Sequence, residues 1–143
     1  MILSSNVEEL DLLKVTVRYS DGNIVPLEKI VGIFPNLTGF LYNCTSNVSF
    51  KTVKELLKIP HFTKIQIFYL WDIPDTFDIE TFYTYMKENE QTKFNLFFCD
   101  AISEVYKIRL EEIIDEIIAA KDRNRKSCFI TFPGLDREKE RRM

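Results

Sequence analysis

Glycine, proline and histidine are all scarce in this chain. Its 143 residues include four Gly, five Pro and one His, and so few Gly and Pro leave little room for long flexible loops. The glycines (Gly22, Gly32, Gly39 and Gly134) form neither a dinucleotide-binding GxGxxG motif nor a P-loop. His61 is the only imidazole available to activate a nucleophile, and nothing beside it completes a triad. We therefore predict that the chain has no catalytic residues, binds no cofactor and is not an enzyme.

Cysteine is too sparse, and wrongly spaced, for a disulfide framework or a metal site. An odd count of three argues against paired disulfides, and Cys44, Cys99 and Cys128 are expected to be small buried side chains. No CxxC or HExxH spacing occurs, so no metal ligands are predicted. An acidic cluster precedes the third predicted helix: Asp72, Asp75, Asp78 and Glu80. It could in principle hold a cation, but we expect it to cap the helix and favour its positive N-terminal end.

Positive charge and long apolar runs are also missing. The formal net charge is −3 and the pI is about 5.3, which gives no support for nucleic-acid binding. The N-terminus has no basic segment followed by a continuous apolar core, so it does not resemble a signal peptide. No apolar run approaches the roughly 18 residues of a membrane span. These absences predict a cytoplasmic or nuclear protein that binds neither nucleic acid nor membrane.

What the sequence does contain is a 25-residue repeat of apolar positions. It relates Leu12 to Leu37 and Phe62, Val15 to Phe40 and Ile65, and Val17 to Tyr42 and Ile67. Each period is a predicted strand, a turn, an amphipathic helix and a short proline-containing link. Such periodicity is typical of solenoids, which commonly bind other molecules. We predict an N-terminal extension over 1–11, a single βα-repeat domain over 12–135 and a charged tail over 136–143.

Alternation and helical periodicity predict about five strands and four helices within that domain. The predicted strands are Leu13–Tyr19, Thr38–Tyr42, Ile65–Leu70, Lys93–Phe98 and Cys128–Phe132, with a charged linker over 121–126 before the last of them. Alternating strands and helices indicate a parallel α/β sheet. Two arrangements are open: a doubly wound sheet, or a curved leucine-rich-repeat-like sheet with helices on one face. The period-2 alternation of apolar and polar residues favours the second.

One covered face implies one open face. With Val15, Phe40, Ile65 and Phe94 directed towards the helices, alternation places other residues outside. The candidate partner-binding residues are Thr16, Arg18, Leu41, Gln66, Phe68, Asn95 and Phe97. Polar groups beside exposed aromatic rings are typical of a protein-binding patch. The competing interpretation is that Phe68 and Phe97 simply belong to the core.

Four stretches of the sequence, 26–37, 51–62, 73–98 and 102–118, together resemble the F-box-associated C-terminal regions of the nematode-expanded F-box protein families. The resemblance spans about residues 12–135 and lies in the texture of the repeats. It implies a leucine-rich-repeat-like region that captures the substrate of a cullin-based SCF ubiquitin ligase. In that family a separate N-terminal F-box docks on a Skp1-type adaptor, and no F-box-like segment precedes the first predicted strand here. The adaptor is therefore a partner only if an F-box is supplied elsewhere.

The sequence thus predicts a protein-interaction module, specifically the substrate-recognition half of an F-box-type protein. The alternative is a small doubly wound α/β enzyme or ligand-binding domain. A well-formed pocket at the carboxyl ends of the strands, containing His61 or the acidic cluster, would favour that alternative. An open sheet face bearing exposed aromatic rings would favour the interaction module.

Overall fold

The computed structural model describes residues 6–44, 48–120 and 127–143 of the 143-residue chain. The predicted linker over 121–126 falls outside these ranges. Within them, no helix has both the length and the apolar character that crossing a bilayer requires.

One all-parallel sheet of five strands organises these residues. Its strands are β1 (Glu9–Leu12), β2 (Gly39–Asn43), β3 (Ile67–Ile73), β4 (Lys93–Phe98) and β5 (Cys128–Thr131), and their spatial order is the order of the chain. Because each right-handed crossover steps to the next strand in the same direction, the crossover helices all lie on the same face. A doubly wound sheet reverses its strand order at a switch point. The strand order therefore confirms the one-sided βα-repeat arrangement, and the doubly wound alternative is wrong.

Five helices accompany the sheet: α1 (Leu27–Ile33), α2 (Thr52–Leu57), α3 (Ile79–Glu88), α4 (Glu104–Ala119) and α5 (Arg137–Arg142). The predicted acidic cap of α3 is confirmed, since Asp78 Oδ1 accepts from the Thr81 amide at 3.2 Å. Ser103 caps α4 in the same way, and its Oγ accepts from the Tyr106 amide at 3.2 Å. The charged tail forms α5, which packs against α4 and β5.

The hydrophobic core lies between the helices and one face of the sheet, and Phe68 is at its centre. The Phe68 side chain is 0% exposed. Its ring centroid lies 5.1–6.4 Å from four other phenylalanine rings, those of Phe40, Phe62, Phe82 and Phe94. Burying a side chain of this size contributes about 1.5–3 kcal/mol. The prediction that Phe68 lies on the open face is therefore wrong.

Phe68 was predicted on the wrong face because the predicted register of β2 against β3 is wrong. The 25-residue repeat placed Phe40 opposite Ile65, whereas the sheet pairs Phe40 with Phe68 and Phe68 with Phe94. A 3₁₀ turn, Phe62–Lys64, lengthens the link between α2 and β3 by three residues. Ile65 and Gln66 consequently precede β3. The pairing register shifts by three residues, and because three is an odd number, the residues of β3 lie on the faces opposite to those predicted.

The first strand also lies earlier than predicted, and all of it except Leu12 falls in the range assigned to an N-terminal extension. The alternating segment Leu13–Tyr19 does make β-type contacts, but across a local turn. The Tyr19 amide donates to Asn23 O at 2.7 Å and the Val25 amide donates to Val17 O at 2.9 Å. Thr16 and Arg18 therefore lie in the connection between β1 and α1, and their predicted place on the sheet is wrong.

Candidate functional site

Four aromatic side chains cover the β3–β5 part of the open face, on the side of the sheet away from the helices. They are Tyr69 and Trp71 of β3, Phe97 of β4 and Phe129 of β5, and we call them the aromatic cluster. The ring of Phe97 is central, with centroid distances of 4.5 Å to Trp71, 5.0 Å to Tyr69 and 5.6 Å to Phe129. Trp71 is 41% exposed and the other three are half-buried. The cluster is thus a continuous aromatic surface that the helices leave uncovered.

Strand alternation explains why both faces of β3 are aromatic or apolar. Phe68 and Leu70 point into the core with no exposed surface. Tyr69 and Trp71, one residue further along in each case, point outwards and stack on each other at 6.2 Å with an interplanar angle of 7°.

A β-bulge brings Trp71 to Phe97. Leu70 pairs with Leu96 and Ile73 pairs with Phe98, so β3 has two residues, Trp71 and Asp72, where β4 has only Phe97. The backbone accommodates the extra residue at Asp72, which has a left-handed φ of 56°. Asp tolerates this conformation better than most residues. Bulges of this kind redirect side chains and frequently occur beside functional sites. Here the bulge places the most exposed ring of the cluster against the central one.

Polar and acidic residues border the aromatic cluster. Asp11, Leu41, Tyr69, Asn95 and Phe129 form one row across all five strands. At the β5 end, the Thr131 hydroxyl donates to Glu140 Oε1 at 2.6 Å and holds that carboxylate beside the sheet.

The structure brings together only some of the predicted partner-binding residues. Leu41, Asn95 and Phe97 lie on the open face in or beside the aromatic cluster. Gln66 is exposed but precedes β3, where its backbone links to Thr38 and Lys93. Binding by these residues stays a prediction. The residues that the sequence reasoning missed are Tyr69, Trp71 and Phe129. The alternation along β3 could have identified Tyr69 and Trp71, but only with the correct register of β3 against β2.

The remaining candidates for chemistry have structural partners. His61 Nε2 lies 2.8 Å from Val31 O, and Asp75 Oδ2 accepts from the Ser103 amide at 3.1 Å. Arg109 donates to both oxygens of Glu80, and this hydrogen bonding holds the pKa of the Glu80 carboxyl below its ordinary value. Across the described ranges, no group of three or more His, Cys, Asp or Glu side chains could hold a metal ion.

A surface cavity of about 580 Å³ lies between the β1–α1 connection and the start of α2. Its lining includes Arg18, Glu28, Ser49 and Thr52, and Glu28 Oε1 is buried without a hydrogen-bond partner. Neither this cavity nor the two other described cavities includes His61 or the acidic cluster in its lining.

Comparison of the chain with family models, with curated proteins and with solved structures finds no match in any of the three. The open face offers an aromatic surface, and the cavity beside Glu28 offers a second candidate site.

Proposed function

We propose that this protein is an interaction module, without enzymatic activity, that binds a protein partner on the open face of its sheet in the cytoplasm or nucleus. The single observation that carries the proposal is the aromatic cluster. Its four rings contact one another, yet no described helix covers them. Trp and Tyr are enriched among the residues that dominate protein-binding energy.

Folding alone does not account for these rings. An open strand position needs only a side chain that suits a pleated surface, and Thr or Val would serve as well as Trp. The part of each ring that remains exposed to water gains further stabilisation only when a partner covers it. Truncating the few residues that dominate an interface, among which Trp and Tyr are enriched, costs about 2 kcal/mol or more of binding energy.

The resemblance to F-box-associated regions gives the proposal its specific form, which is substrate recognition for an SCF ubiquitin ligase. A one-sided βα-repeat sheet with an open aromatic face suits such a capture role. In this form the Skp1-type adaptor binds through an F-box supplied elsewhere, and the open face remains available for the substrate protein.

A second candidate function is small-molecule binding, and the cavity beside Glu28 favours it. The buried, unpartnered Glu28 Oε1 would accept a hydrogen bond from a ligand donor, which would offset its desolvation. A ligand bound there should protect the chain against thermal unfolding, and the protection should disappear in Glu28→Ala.

The test of the leading proposal is affinity purification of the intact chain from cells that express it, read by quantitative mass spectrometry. The test variant is Trp71→Ala/Phe97→Ala. The matched control is Val105→Ala/Ile108→Ala, which removes two apolar side chains that are 78% and 61% exposed on α4. We expect a reproducible partner that the test variant loses and the control keeps. A partner retained equally by both variants would contradict binding on the open face.

The same purification separates capture from ligase recruitment. Recovery of a Skp1-type adaptor and a cullin with the partner supports the ubiquitin-ligase form of the proposal. A partner that depends on Trp71 and Phe97 but arrives without either ligase subunit would leave the interaction module standing and remove the ligase from it.

A further inference from the structure

We infer that the segment bound by the aromatic cluster is basic: a stretch of polypeptide in which Lys or Arg residues flank an apolar side chain. This inference rests on the proposed function, because it specifies the chemistry of the partner at the same surface. It follows from the charges that border the cluster and from the exposed ring of Trp71.

Carboxylates lie at both edges of the sheet, on either side of the cluster. Glu9 and Asp11 of β1 are exposed at one edge, and Glu140 lies at the other, where the Thr131 hydroxyl holds it. Among the strand residues of the open face, Lys93 carries the one positive charge. A bound segment therefore meets negative charge on either side of an apolar centre.

The hydrogen bonds that Asp11 and Glu140 accept come from uncharged donors. Asp11 Oδ1 accepts from the Leu13 amide at 3.2 Å, and Glu140 Oε1 accepts from a neutral hydroxyl. Neither residue, nor Glu9, forms an ion pair with a described basic side chain. By contrast, Asp115 on the helix side is paired with Lys139 at 2.8 Å.

The distances are short enough for these charges to act on the cluster. Asp11 is two strands from Tyr69 in the same row, or about 10 Å at the usual strand spacing of ~4.8 Å. Thr131 pairs with Phe97 on the adjacent strand, so Glu140 is closer to the rings. The Debye length is about 8–10 Å at ordinary ionic strength. Both edges therefore contribute to the potential at the rings, and salt should weaken that contribution.

Trp71 supplies the second reason to expect a cation. A guanidinium stacked on an exposed indole gains cation–π attraction, and Arg combines that stacking with hydrogen bonds to carboxylates. An acidic segment would instead meet like charges on both sides of the cluster, which discriminates against it.

Binding of a peptide to the cluster can be followed by the fluorescence of Trp71, because it is the only tryptophan in the chain. Its fluorescence can be titrated with a short capped peptide in which Arg and Leu alternate, and with a counterpart in which every Arg is Glu. We expect the Arg peptide to bind at least about tenfold more tightly, a difference of about 1.4 kcal/mol. The preference should shrink as salt is added.

Charge-matched variants separate the acidic edges from the net charge of the protein. Asp11→Asn/Glu140→Gln removes two carboxylates from the open face. Glu55→Gln/Glu104→Gln removes two exposed carboxylates from α2 and α4 instead. We expect the first pair to weaken binding of the Arg peptide several-fold and the second to leave it nearly unchanged.

Two results would overturn the inference. One is equal or tighter binding of the Glu peptide. The other is the absence of any fluorescence change with the Arg peptide, including the case in which the chain covers its own cluster by self-association. Either result leaves the proposed function to be decided separately by the affinity purification, whose readout does not depend on the charge of the partner.

Discussion

Replacing Phe68 by Ala tests whether Phe68 lies in the core, as in the structure, or on the open face, as the sequence predicted. Phe68 is fully buried among the rings of Phe40, Phe62, Phe82 and Phe94. Truncation removes its transfer free energy and leaves a cavity that rigid aromatic neighbours fill poorly. Core Phe→Ala changes typically cost about 3–5 kcal/mol, and we expect about 4 here. That is a large share of the roughly 5–15 kcal/mol that stabilises a domain.

Phe97→Ala is the matched comparison, because it removes the same atoms from the other face of the neighbouring strand. Phe97 is half-buried, and its contacts are the rings of Tyr69, Trp71 and Phe129. Partial burial and lost ring contacts together predict a cost of about 1–2 kcal/mol. The two variants should therefore differ in free energy of unfolding by about 2–3 kcal/mol, although each loses the same side chain.

Urea unfolding followed by far-UV circular dichroism measures both costs without using the fluorescence of Trp71. With a denaturant slope of about 2 kcal/mol/M, Phe68→Ala should lower the unfolding midpoint by about 2 M and Phe97→Ala by about 0.5–1 M. If Phe68→Ala does not fold, Phe68→Leu keeps part of the volume and should still be costlier than Phe97→Leu. Equal costs, or a larger cost at Phe97, would refute the assignment of the two faces.

Three further predictions concern local features of the same sheet and its helices. Asp72→Gly should raise the thermal midpoint, since Gly adopts the φ of 56° without strain, whereas Asp72→Val should lower it. Burial, and secondarily the charge of Asp72, raises the pKa of the Cys44 thiol. The unfolded thiol ionises near its ordinary pKa of about 8.5, while the folded thiol stays protonated. The contribution of Cys44 to the free energy of unfolding is therefore fully present below that pH and is lost as the pH rises above it. Urea unfolding across this range should show a shallower fall in Cys44→Ala. Asp78→Ala removes the cap of α3 and should cost about 1 kcal/mol in the same assay.

Features set by neighbours in sequence were the predictable part of this fold. Asp78 caps α3 as the sequence predicts, because a capping side chain reaches only two or three residues along the chain. β4 forms over Lys93–Phe98, the predicted range, and its alternation correctly places Phe94 inside and Phe97 outside. The alternation of strands and helices was enough to predict a parallel α/β sheet.

Features set by distant parts of the chain were not predictable in the same way. The register of β2 against β3 depends on the length of the link between α2 and β3, and the 3₁₀ turn Phe62–Lys64 lengthens it without a clear sequence signal. The strand pattern of Leu13–Tyr19 fits pairing across a local turn as well as pairing in the sheet. In the structure β1 pairs with β2, and the alternating segment pairs only across its own turn.

The sequence predicted Phe68 on the open face of β3, and the structure has Tyr69 and Trp71 there instead. The surface is aromatic in both cases, because β3 is apolar or aromatic on both faces. The core accounts for Phe68 and Leu70, since the helix side of a sheet must be apolar to exclude water. It does not account for Tyr69, Trp71 and Phe97, which the helices leave uncovered, nor for a bulge with a left-handed Asp72 that brings two of these rings to 4.5 Å. Features that folding does not require, and that carry local strain, are the ones most reasonably assigned to binding. The aromatic cluster, more than the repeat itself, is therefore the part of this protein that a partner should recognise.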